Sequence, residues 1–354
     1  MIVNDREVVL GGLPLEIQEA ILSYLPAKDL FSVAKTSRHL SSLTKIDSLW
    51  TKLTLDWKDI FENLEFCKDL IQNRYTKVRY AEITSKEQIN GQNKEFNQKL
   101  AIIMDLILKC KTLTSLKFDK NIKLGDSLLS KISEKSSLTR IELTDRFRNN
   151  RICSLSPLSK LINLQTLKLY NMGCLEYDNL FSSLKNLKIV EVIDRDNTPR
   201  ITDSTITCLV QNNVQLIHLA IDHCSLVSSE GIKILAKACP NLQHVSMKKC
   251  AKLRDEDAIH LLSSCPELRH IGLSRVSDMS LRKILEVCPK MESVSLEGAW
   301  VTEKGITELL TSAPRIQNLD YKKLTLPCVA NNFDEKFKIK FPGSRVTVTA
   351  SWNY

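Results

Sequence analysis

An apolar phrase occurs nine times in this chain of 354 residues. In each occurrence an apolar residue is followed by two variable residues, a second apolar residue, one variable residue and a third apolar residue. The phrase begins at Leu113, Leu138, Leu164, Leu187, Leu216, Leu242, Leu268, Met291 and Ile316, at steps of 23 to 29 residues. Such a period predicts a stacked solenoid, because each unit can bury its apolar face only against the next unit.

The unit that begins at Leu216 illustrates the local structure expected for each repeat. Leu219 and Ile221 alternate with polar or small neighbours, which is typical of a strand. In 228–238 the apolar spacing changes to three and four residues, which predicts a helix. Cys239 precedes Pro240 and should end that helix, since the residue before a proline avoids the helical region. Each unit is therefore predicted to be a strand, a loop, a helix and a return.

The predicted helix starts agree between units. A residue that can cap a helix occupies the equivalent position in four units, namely Thr202, Ser228, Ser277 and Thr302. Acidic residues follow three of these caps, where they suit the positive end of the helix dipole. Arg254 interrupts the row of capping residues, and Asp255 is expected to replace it.

Stacked parallel strands lie about 4.8 Å apart and packed helices about 8–10 Å apart, so the stack should bend with its strands inside. The repeats resemble leucine-rich repeats of the longer, cysteine-containing type. The resemblance implies an α/β solenoid with a curved parallel sheet inside and helices outside. We assign residues 111–326 to these repeats, 56–110 to a linker and a degenerate first repeat, and 327–354 to a C-terminal cap and tail. A strand is predicted at 345–349, and the degenerate repeat should have a strand at 77–83 and a helix at 96–109.

The segment before the repeats predicts short helices. Residues 15–25 place Ile17, Ile21 and Leu25 on one stripe, with Leu22 beside it. Asp29 can cap a second helix that carries Leu30, Val33, Ala34 and Leu40, and a third short helix should contain Ile46, Leu49 and Trp50. About forty residues bury a poor core alone. The residue pattern therefore fits either a helical cap on the solenoid or a docking module with exposed apolar surface.

Seven short motifs in this segment together resemble an F-box: Leu13-Pro14, Glu16-Ile17, Ile21-Leu22, Leu25-Pro26, Asp29-Leu30, Ser37-Arg38 and Leu49-Trp50. We therefore assign residues 8–55 to a small all-α F-box domain. In that family the motif docks on a Skp-type adaptor held by a cullin, and a following leucine-rich-repeat domain receives the substrate for ubiquitination. The resemblance implies that Leu13, Pro14, Ile17, Ile21, Leu25 and Leu30 contact the adaptor. It also implies that Trp50 locks the third helix.

Side chains at the third, fifth and seventh positions of each phrase should lie on the inner face of the sheet. The candidate substrate contacts on this face are Lys168, Tyr170, His218, Asp222, His244, Lys248, His270 and Glu297. Three of them are histidines in one column, which indicates a metal site, a ligand contact or ordinary solvated surface. Neighbouring strands point their side chains in parallel and no carboxylate shares the column, so we favour surface or ligand contact over a metal.

The loops that leave the strands carry five candidate rim residues, Arg146, Arg148, Arg151, Arg195 and Arg200. Arginine suits phosphate recognition, whereas the interleaved Asp194 and Asp196 favour a simply soluble rim. The formal net charge is +9, and residues 1–60 contribute −1 with seven basic and eight acidic residues. The excess of about +10 in the remaining chain fits either a solvated basic surface or acidic or phosphorylated partners, or nucleic acid.

Six of the eleven cysteines hold repeated positions and form rows with one cysteine per turn, namely Cys110, Cys224, Cys239, Cys250, Cys265 and Cys288. Zinc needs ligands that converge on one point, so we interpret these cysteines as small buried apolar residues in a reducing compartment. No metal site and no cofactor is predicted. The sequence also lacks a glycine-rich phosphate loop, a nucleophile elbow and an HExxH motif, so we expect no enzyme activity in this chain.

The F-box resemblance implies a non-catalytic substrate adaptor of a cullin-RING (SCF) ubiquitin ligase. Its partners would be a Skp-type adaptor, through it a cullin, and a protein substrate that is phosphorylated or unmodified. Two alternatives stay open: an adaptor-bound scaffold without degradation, with its basic rim on chromatin or DNA, and a repeat-domain binding protein whose N-terminal helices are a cap. No apolar run approaches the roughly 18–20 residues of a membrane span, and residues 1–7 lack a signal-peptide core. We therefore expect no membrane contact and a location in the cytoplasm or nucleus.

Overall fold

Parallel strand pairing organises the chain in the computed structural model. The described residues are 12–25, 27–74, 77–85, 94–119, 125–144, 154–172, 177–193, 200–313, 315–322 and 347–351. They belong to two units. The first unit is Met1–Leu124 with Ser137–Arg146, and the second unit is Gly125–Ser136 with Phe147–Tyr354.

The first unit begins with short helices and continues into strand–helix repeats. Its helices are α1 (Leu15–Ser23), α2 (Ala27–Ala34), α3 (Arg38–Leu43), the 3-10 helix Asp47–Trp50, α4 (Trp57–Glu62), α5 (Leu64–Arg74) and α6 (Lys94–Lys109). Its strands are β1 (Lys52–Asp56), β2 (Tyr80–Thr84), β3 (Ser115–Phe118) and β4 (Arg140–Thr144). These strands pair in parallel in chain order. The strand predicted at 77–83 and the helix predicted at 96–109 correspond to β2 and α6.

The helical segment departs from the sequence prediction at two points. The second predicted helix is divided, because the Ser37 side chain accepts a hydrogen bond from the Leu40 N–H at 3.1 Å and starts α3 anew. Leu40 therefore lies on α3, and Asp29 lies inside the first turn of α2 rather than at its cap. Residues 52–56 form strand β1, which the prediction of an all-helical segment up to residue 55 missed.

The second unit repeats one strand and one helix. Its strands are β5 (Thr166–Tyr170), β6 (Ile189–Ile193), β7 (His218–Ala220), β8 (His244–Met247), β9 (His270–Leu273), β10 (Ser293–Glu297), β11 (Asn318–Lys322) and β12 (Thr347–Ser351). Its helices are α7 (Asp126–Ser133), the 3-10 helix Ser156–Lys160, α8 (Tyr177–Ser183), α9 (Asp203–Asn212), α10 (Ser229–Ala238), α11 (Asp255–Ser264), α12 (Asp278–Val287) and α13 (Glu303–Ser312). Strands β5 to β12 pair in parallel in chain order.

All nine apolar phrases are confirmed as strands. Each of β3 to β11 begins two residues after the first residue of its phrase. The phrase residues form the core: Leu216 and Leu219, for example, are fully buried, as are Leu242 and Val245. The strand predicted at 345–349 is present as β12, which pairs with β11. The α/β leucine-rich-repeat fold predicted from the sequence is therefore confirmed.

All four predicted capping residues accept hydrogen bonds from backbone N–H groups of their own helices. The prediction that Asp255 takes over the capping role of the residue at position 254 is wrong. Asp257 Oδ2 accepts the hydrogen bond from the Arg254 N–H at 2.8 Å, because Asp255 is occupied by the following repeat. Its two carboxylate oxygens accept hydrogen bonds from the Ser277 N–H and hydroxyl, at 2.7 and 2.6 Å.

This aspartate link between consecutive repeats recurs along the helix layer. Asp203 accepts the N–H and the hydroxyl of Ser228 at 2.8 and 2.6 Å. Asp278 accepts the same two groups of Thr302 at 2.8 and 2.6 Å. One repeat has Ser229 at the position of this aspartate. The repeat that follows it has Arg254 at the cap position, where the others have a hydroxyl side chain. Each of these aspartates therefore completes the helix N-terminus of the next repeat.

Gly231 is required by this link. A Cβ atom at Gly231 would lie 2.3 Å from Asp203 Oδ1, and one at Gly305 would lie 2.2 Å from Asp278 Oδ1. Both glycines occupy the third position of their helices, directly beside the aspartate of the preceding repeat. Glycine here leaves room for the carboxylate, which explains why a residue of poor helix propensity lies inside a helix.

Gly231→Ala should lower the free energy of unfolding by about 1–3 kcal/mol, because the new methyl group displaces the Asp203 carboxylate from Ser228. In an Asp203→Ala background the nearest remaining side-chain atom is Val227 Cγ1 at 3.2 Å, so the same change should lower the free energy of unfolding by much less. Urea denaturation of the four proteins of this cycle measures both values. An equal loss in both backgrounds would contradict the proposed packing.

Candidate functional site

Helix α1 presents an apolar stripe to the solvent. Ile17 is 48% exposed, Ile21 42% and Tyr24 88%, and Pro14 just before the helix is exposed as well. These four residues follow the spacing of three and four that places side chains on one face of a helix. Leu15, also exposed, lies at the start of the helix. The first unit therefore has an uncovered apolar helix face, which we call the α1 face.

The opposite side of α1 anchors the helix in the first unit. Leu22 is 1% exposed and Gln18 is buried. The Gln18 Nε2 donates a hydrogen bond to the Leu13 carbonyl at 2.6 Å, and its Oε1 lies 2.8 Å from His39 Nε2. The buried amide thus fixes the turn at Leu13 and Pro14 against the helix, which holds the α1 face in one orientation.

The other predicted adaptor contacts are less accessible. Leu13 and Leu25 are half-buried. Leu30 is 2% exposed, so its side chain belongs to the core of the first unit and is not a surface contact. Trp50 is buried and its Nε1 donates a hydrogen bond to the Thr44 carbonyl at 2.5 Å. This bond ties the 3-10 helix Asp47–Trp50, which corresponds to the third predicted helix, to the C-terminal end of α3.

In the second unit, side chains at the third, fifth and seventh positions of the phrase share the sheet face opposite the helices, called here the open face. His218, His244 and His270 are in register on β7, β8 and β9. The first two rings stack with their centroids 3.8 Å apart and an angle of 8°, and the second pair lies 5.4 Å apart at 36°. The predicted histidine column therefore exists as a contiguous stack.

A buried carboxylate joins one end of this stack. Glu191 Oε1 lies 2.7 Å from Lys168 Nζ and 3.0 Å from His218 Nε2, and its Oε2 accepts a hydrogen bond from the Tyr170 hydroxyl. Three predicted contacts thus meet at one residue that the prediction missed. The signal was in the sequence, since Glu191 holds the fifth position of the phrase at Leu187 and pairs in register with Lys168.

The two titratable groups in this cluster have strongly shifted pKa values. Burial acts to raise the pKa of Glu191, but the bonds from His218, Lys168 and Tyr170 outweigh it and lower the pKa to about 2. Burial, together with the neighbouring imidazoles of His218 and His270, lowers the pKa of His244 to about 4. At neutral pH the centre of the stack is therefore uncharged and Glu191 is ionised.

Asp222 and Lys248 also contact each other, although not through their charges. Asp222 Oδ1 accepts hydrogen bonds from the Ser246 hydroxyl at 2.6 Å and from the Lys248 backbone N–H at 2.9 Å. The Lys248 side chain instead lies over Gly272, where an added Cβ would come within 2.9 Å of the Lys248 Cε. Asp222 thus fixes the end of β8, and the Lys248 ammonium group is left for the surface.

The first unit has a comparable row of charges at the fifth position. Lys117 Nζ lies 3.3 Å from Glu82 and 3.2 Å from Glu142 across three paired strands. Burial is the largest influence on the Lys117 pKa and acts to lower it, but the two carboxylates reverse this and raise the pKa. Sequence reasoning missed this row, although Lys117 and Glu142 hold the fifth positions of the phrases at Leu113 and Leu138. Only Glu82 lies in the degenerate first repeat.

Most of the predicted rim lies outside the described residues. Arg146, Arg148, Arg151 and Arg195 are outside them, as is the side chain of Glu297. Arg200 is described and is half-buried just before α9. The arginine rim therefore stays a prediction.

The described cysteines behave as small apolar residues. Cys239, Cys265 and Cys288 are buried, and their Sγ atoms lie 3.7 Å from carbonyl oxygens of the preceding repeat. Burial raises the pKa of these thiols to about 11, 12 and 11. Among the described residues no group of three or more His, Cys, Asp or Glu side chains could hold a metal ion. No described helix is long and apolar enough to cross a membrane.

Comparisons with known proteins bear on both parts of the chain. Residues 10–56 match the F-box-like family model. A solved structure described as the Rad7 and Elc1 complex in yeast aligns with a TM-score of 0.63 at 16% identity, over 98% of this chain and 88% of that chain. The chain therefore combines an F-box-like segment with a leucine-rich-repeat fold. No curated protein matches its sequence.

Two further solved structures align with this chain at lower scores. The TLR13–ssRNA13 complex has a TM-score of 0.40 at 16% identity, over 80% of this chain and 47% of that chain. A structural-genomics protein from Bacteroides fragilis has a TM-score of 0.38 at 15% identity, over 86% of this chain and 75% of that chain.

The stability of the protein should fall as the pH is lowered from about 6.5 to about 4. The pKa of His244 is depressed in the folded state, so the unfolded chain takes up a proton in this window that the folded chain refuses. His244→Gln should remove this contribution to the pH dependence of the free energy of unfolding. His260→Gln, on the surface of α11, should leave the pH dependence unchanged. Chemical denaturation at successive pH values measures the slopes, and parallel curves for wild type and His244→Gln would contradict the assignment.

Proposed function

We propose that this F-box/leucine-rich-repeat protein is the substrate adaptor of an SCF-type ubiquitin ligase. Its α1 face binds a Skp-type adaptor and, through it, a cullin. Its repeats bind a protein substrate. The chain contributes no catalytic group; it raises the effective concentration of the substrate beside the ubiquitin-charged enzyme. We propose the cytoplasm or the nucleus as its location, where buried thiols such as Cys265 stay reduced.

The uncovered α1 face carries this proposal. Full burial of one isoleucine side chain stabilises an interface by roughly 1.5–3 kcal/mol. Ile17, Ile21 and Tyr24 follow the spacing of helices that bind in apolar grooves. Gln18 and Leu22 hold the helix on its other side, so little of the binding energy is spent on ordering it.

The comparisons support the same proposal from the fold. Rad7, which shares the fold over nearly the whole of this chain, was crystallised as a complex with Elc1. The F-box-like match covers α1 to β1 and therefore includes the complete α1 face. We infer that Pro14, Ile17, Ile21 and Tyr24 form the centre of the adaptor interface. Leu13 and Leu25 lie at its edge.

The substrate side of the proposal concerns the open face of the second unit. Lys168, Tyr170 and His218 are held by Glu191 and serve chiefly to fix that end of the sheet. His244, His270 and Lys248 have more freedom to contact a substrate, next to the small residues Ser246 and Gly272. We therefore propose that a substrate chain lies over β8 and β9.

Ile17→Asp with Ile21→Asp should weaken binding of a purified Skp-type adaptor at least 100-fold, because two charges would be desolvated against an apolar groove. Elc1 is the second probe in parallel titrations. Both changes lie on the solvent side of α1, so the unfolding midpoint should stay close to that of the wild type.

The matched control is Ile102→Asp, an exposed isoleucine on α6 of the same unit, which should change adaptor affinity less than twofold. If both probes bind wild type and double variant equally, the α1 face is not the docking surface. If neither probe binds the wild-type protein, the adaptor function itself is wrong.

A further inference from the structure

The loops that follow β8 and β9 form a concentrated basic surface. The loop 248–254 carries Lys248, Lys249, Lys252 and Arg254 without an acidic residue, and Arg275 follows β9. Lys249, Lys252 and Arg275 are exposed. None of the ion pairs between described residues involves Lys248, Lys252 or Arg275. The loop 248–254 and Arg275 therefore concentrate positive charge at the surface of the second unit.

Hydrogen bonds hold the two loops together. Arg275 Nη1 donates to the Ala251 carbonyl at 2.9 Å, and the Lys249 N–H donates to the Ser274 hydroxyl at 2.7 Å. Lys249 and Arg275 both have positive φ angles, 59° and 57°, at equivalent positions of adjacent repeats. The basic groups thus sit on a fixed framework about one strand spacing apart.

An exposed tryptophan continues this surface. Trp300 is 54% exposed, and its backbone N–H donates to the Val276 carbonyl at 2.8 Å, directly after Arg275. Ser277 and Trp300 form an isolated parallel bridge. Exposed tryptophan beside arginine is the composition typical of binding hot spots. Lys248, Lys249, Lys252, Arg275 and Trp300 are called here the basic edge.

We propose that the basic edge binds a short acidic segment of the protein substrate, with an apolar side chain of that segment on Trp300. This inference rests on the proposed function and names its substrate class. The cations attract carboxylate or phosphate groups, and the tryptophan supplies contact area that is insensitive to salt.

The extent of the surface favours a peptide over a nucleic acid. The loops on either side of these two interrupt the positive charge. The loop before them, 221–228, carries Asp222 and no Lys or Arg, and the loop after them, 298–302, carries no charged residue. A polynucleotide needs a longer basic track along its backbone, whereas an acidic peptide of a few residues matches two loops.

The test measures binding of labelled peptides to the full chain by fluorescence anisotropy, without any adaptor present. The probes are a 12-residue peptide with four glutamates around one leucine, its glutamine counterpart, and a version with phosphothreonine in place of one glutamate. We expect the glutamate peptide to bind at least tenfold more tightly than the glutamine peptide, and less tightly as salt rises. Stronger binding of the phosphothreonine version would identify phosphate as the preferred anion, and equal binding would identify carboxylate; both support the proposal.

Three variants locate the binding. Lys249→Glu with Lys252→Glu should weaken binding of the glutamate peptide at least tenfold, and Trp300→Ala should weaken it severalfold with an unchanged salt dependence. The matched control, Lys233→Glu with Lys237→Glu on the exposed side of α10, makes the same change in net charge and should have less than a twofold effect. Unfolding midpoints verify that each variant is folded.

Equal binding of the glutamate and glutamine peptides would overturn the proposal, as would equal losses in the Lys249/Lys252 variant and its control. Tighter binding of a 12-nucleotide oligo-dT than of every peptide, lost in the Lys249/Lys252 variant, would assign the edge to nucleic acid instead. Peptide binding that persists in Ile17→Asp/Ile21→Asp, or in a chain that captures no adaptor, leaves the basic edge intact and separates its outcome from that of the adaptor function.

Discussion

The hydrogen bonds between consecutive repeats are the interaction on which the rest of the second unit depends. Each strand satisfies its backbone groups only through its two neighbours, as β8 does between β7 and β9. In the helix layer Asp203, Asp255 and Asp278 complete the N-terminus of the following helix. No repeat is therefore stable alone, and stability accumulates along the stack. The last strand, β12, gives β11 a partner and so covers one strand edge.

This stacking also decides which polar side chains are available to a partner. Strands in register place residues 23 to 27 positions apart within bonding distance, so that Glu191 meets Lys168 and His218. Such pairs stabilise the sheet and use charges that a list of surface residues would assign to substrate binding. The loop after β8, by contrast, carries four basic residues and no acidic residue, and Arg275 follows β9. This concentration of positive charge gives the edge its binding potential.

The two proposed recognition surfaces use different physical forces. The α1 face is apolar, and its affinity comes from the area of Ile17, Ile21 and Tyr24 removed from water. The basic edge attracts its ligand by charge, with Trp300 as the one large apolar contact. An apolar helix face suits a stable partner, and a charged edge suits a substrate that must also be released.

The sequence by itself determined the repeat, the strand in each phrase, the capping hydroxyls and the F-box motif, because apolar periodicity and capping are local properties read along one chain. It also identified Ile17 and Ile21 correctly as one stripe of a helix. It did not determine that Leu30 faces the core, that Asp257 rather than Asp255 serves Arg254, or that Gly231 makes room for Asp203. Those outcomes depend on which repeat lies beside which and on which helix face is covered. Only the tertiary structure decides them, since the groups concerned are brought together by packing between elements distant in sequence.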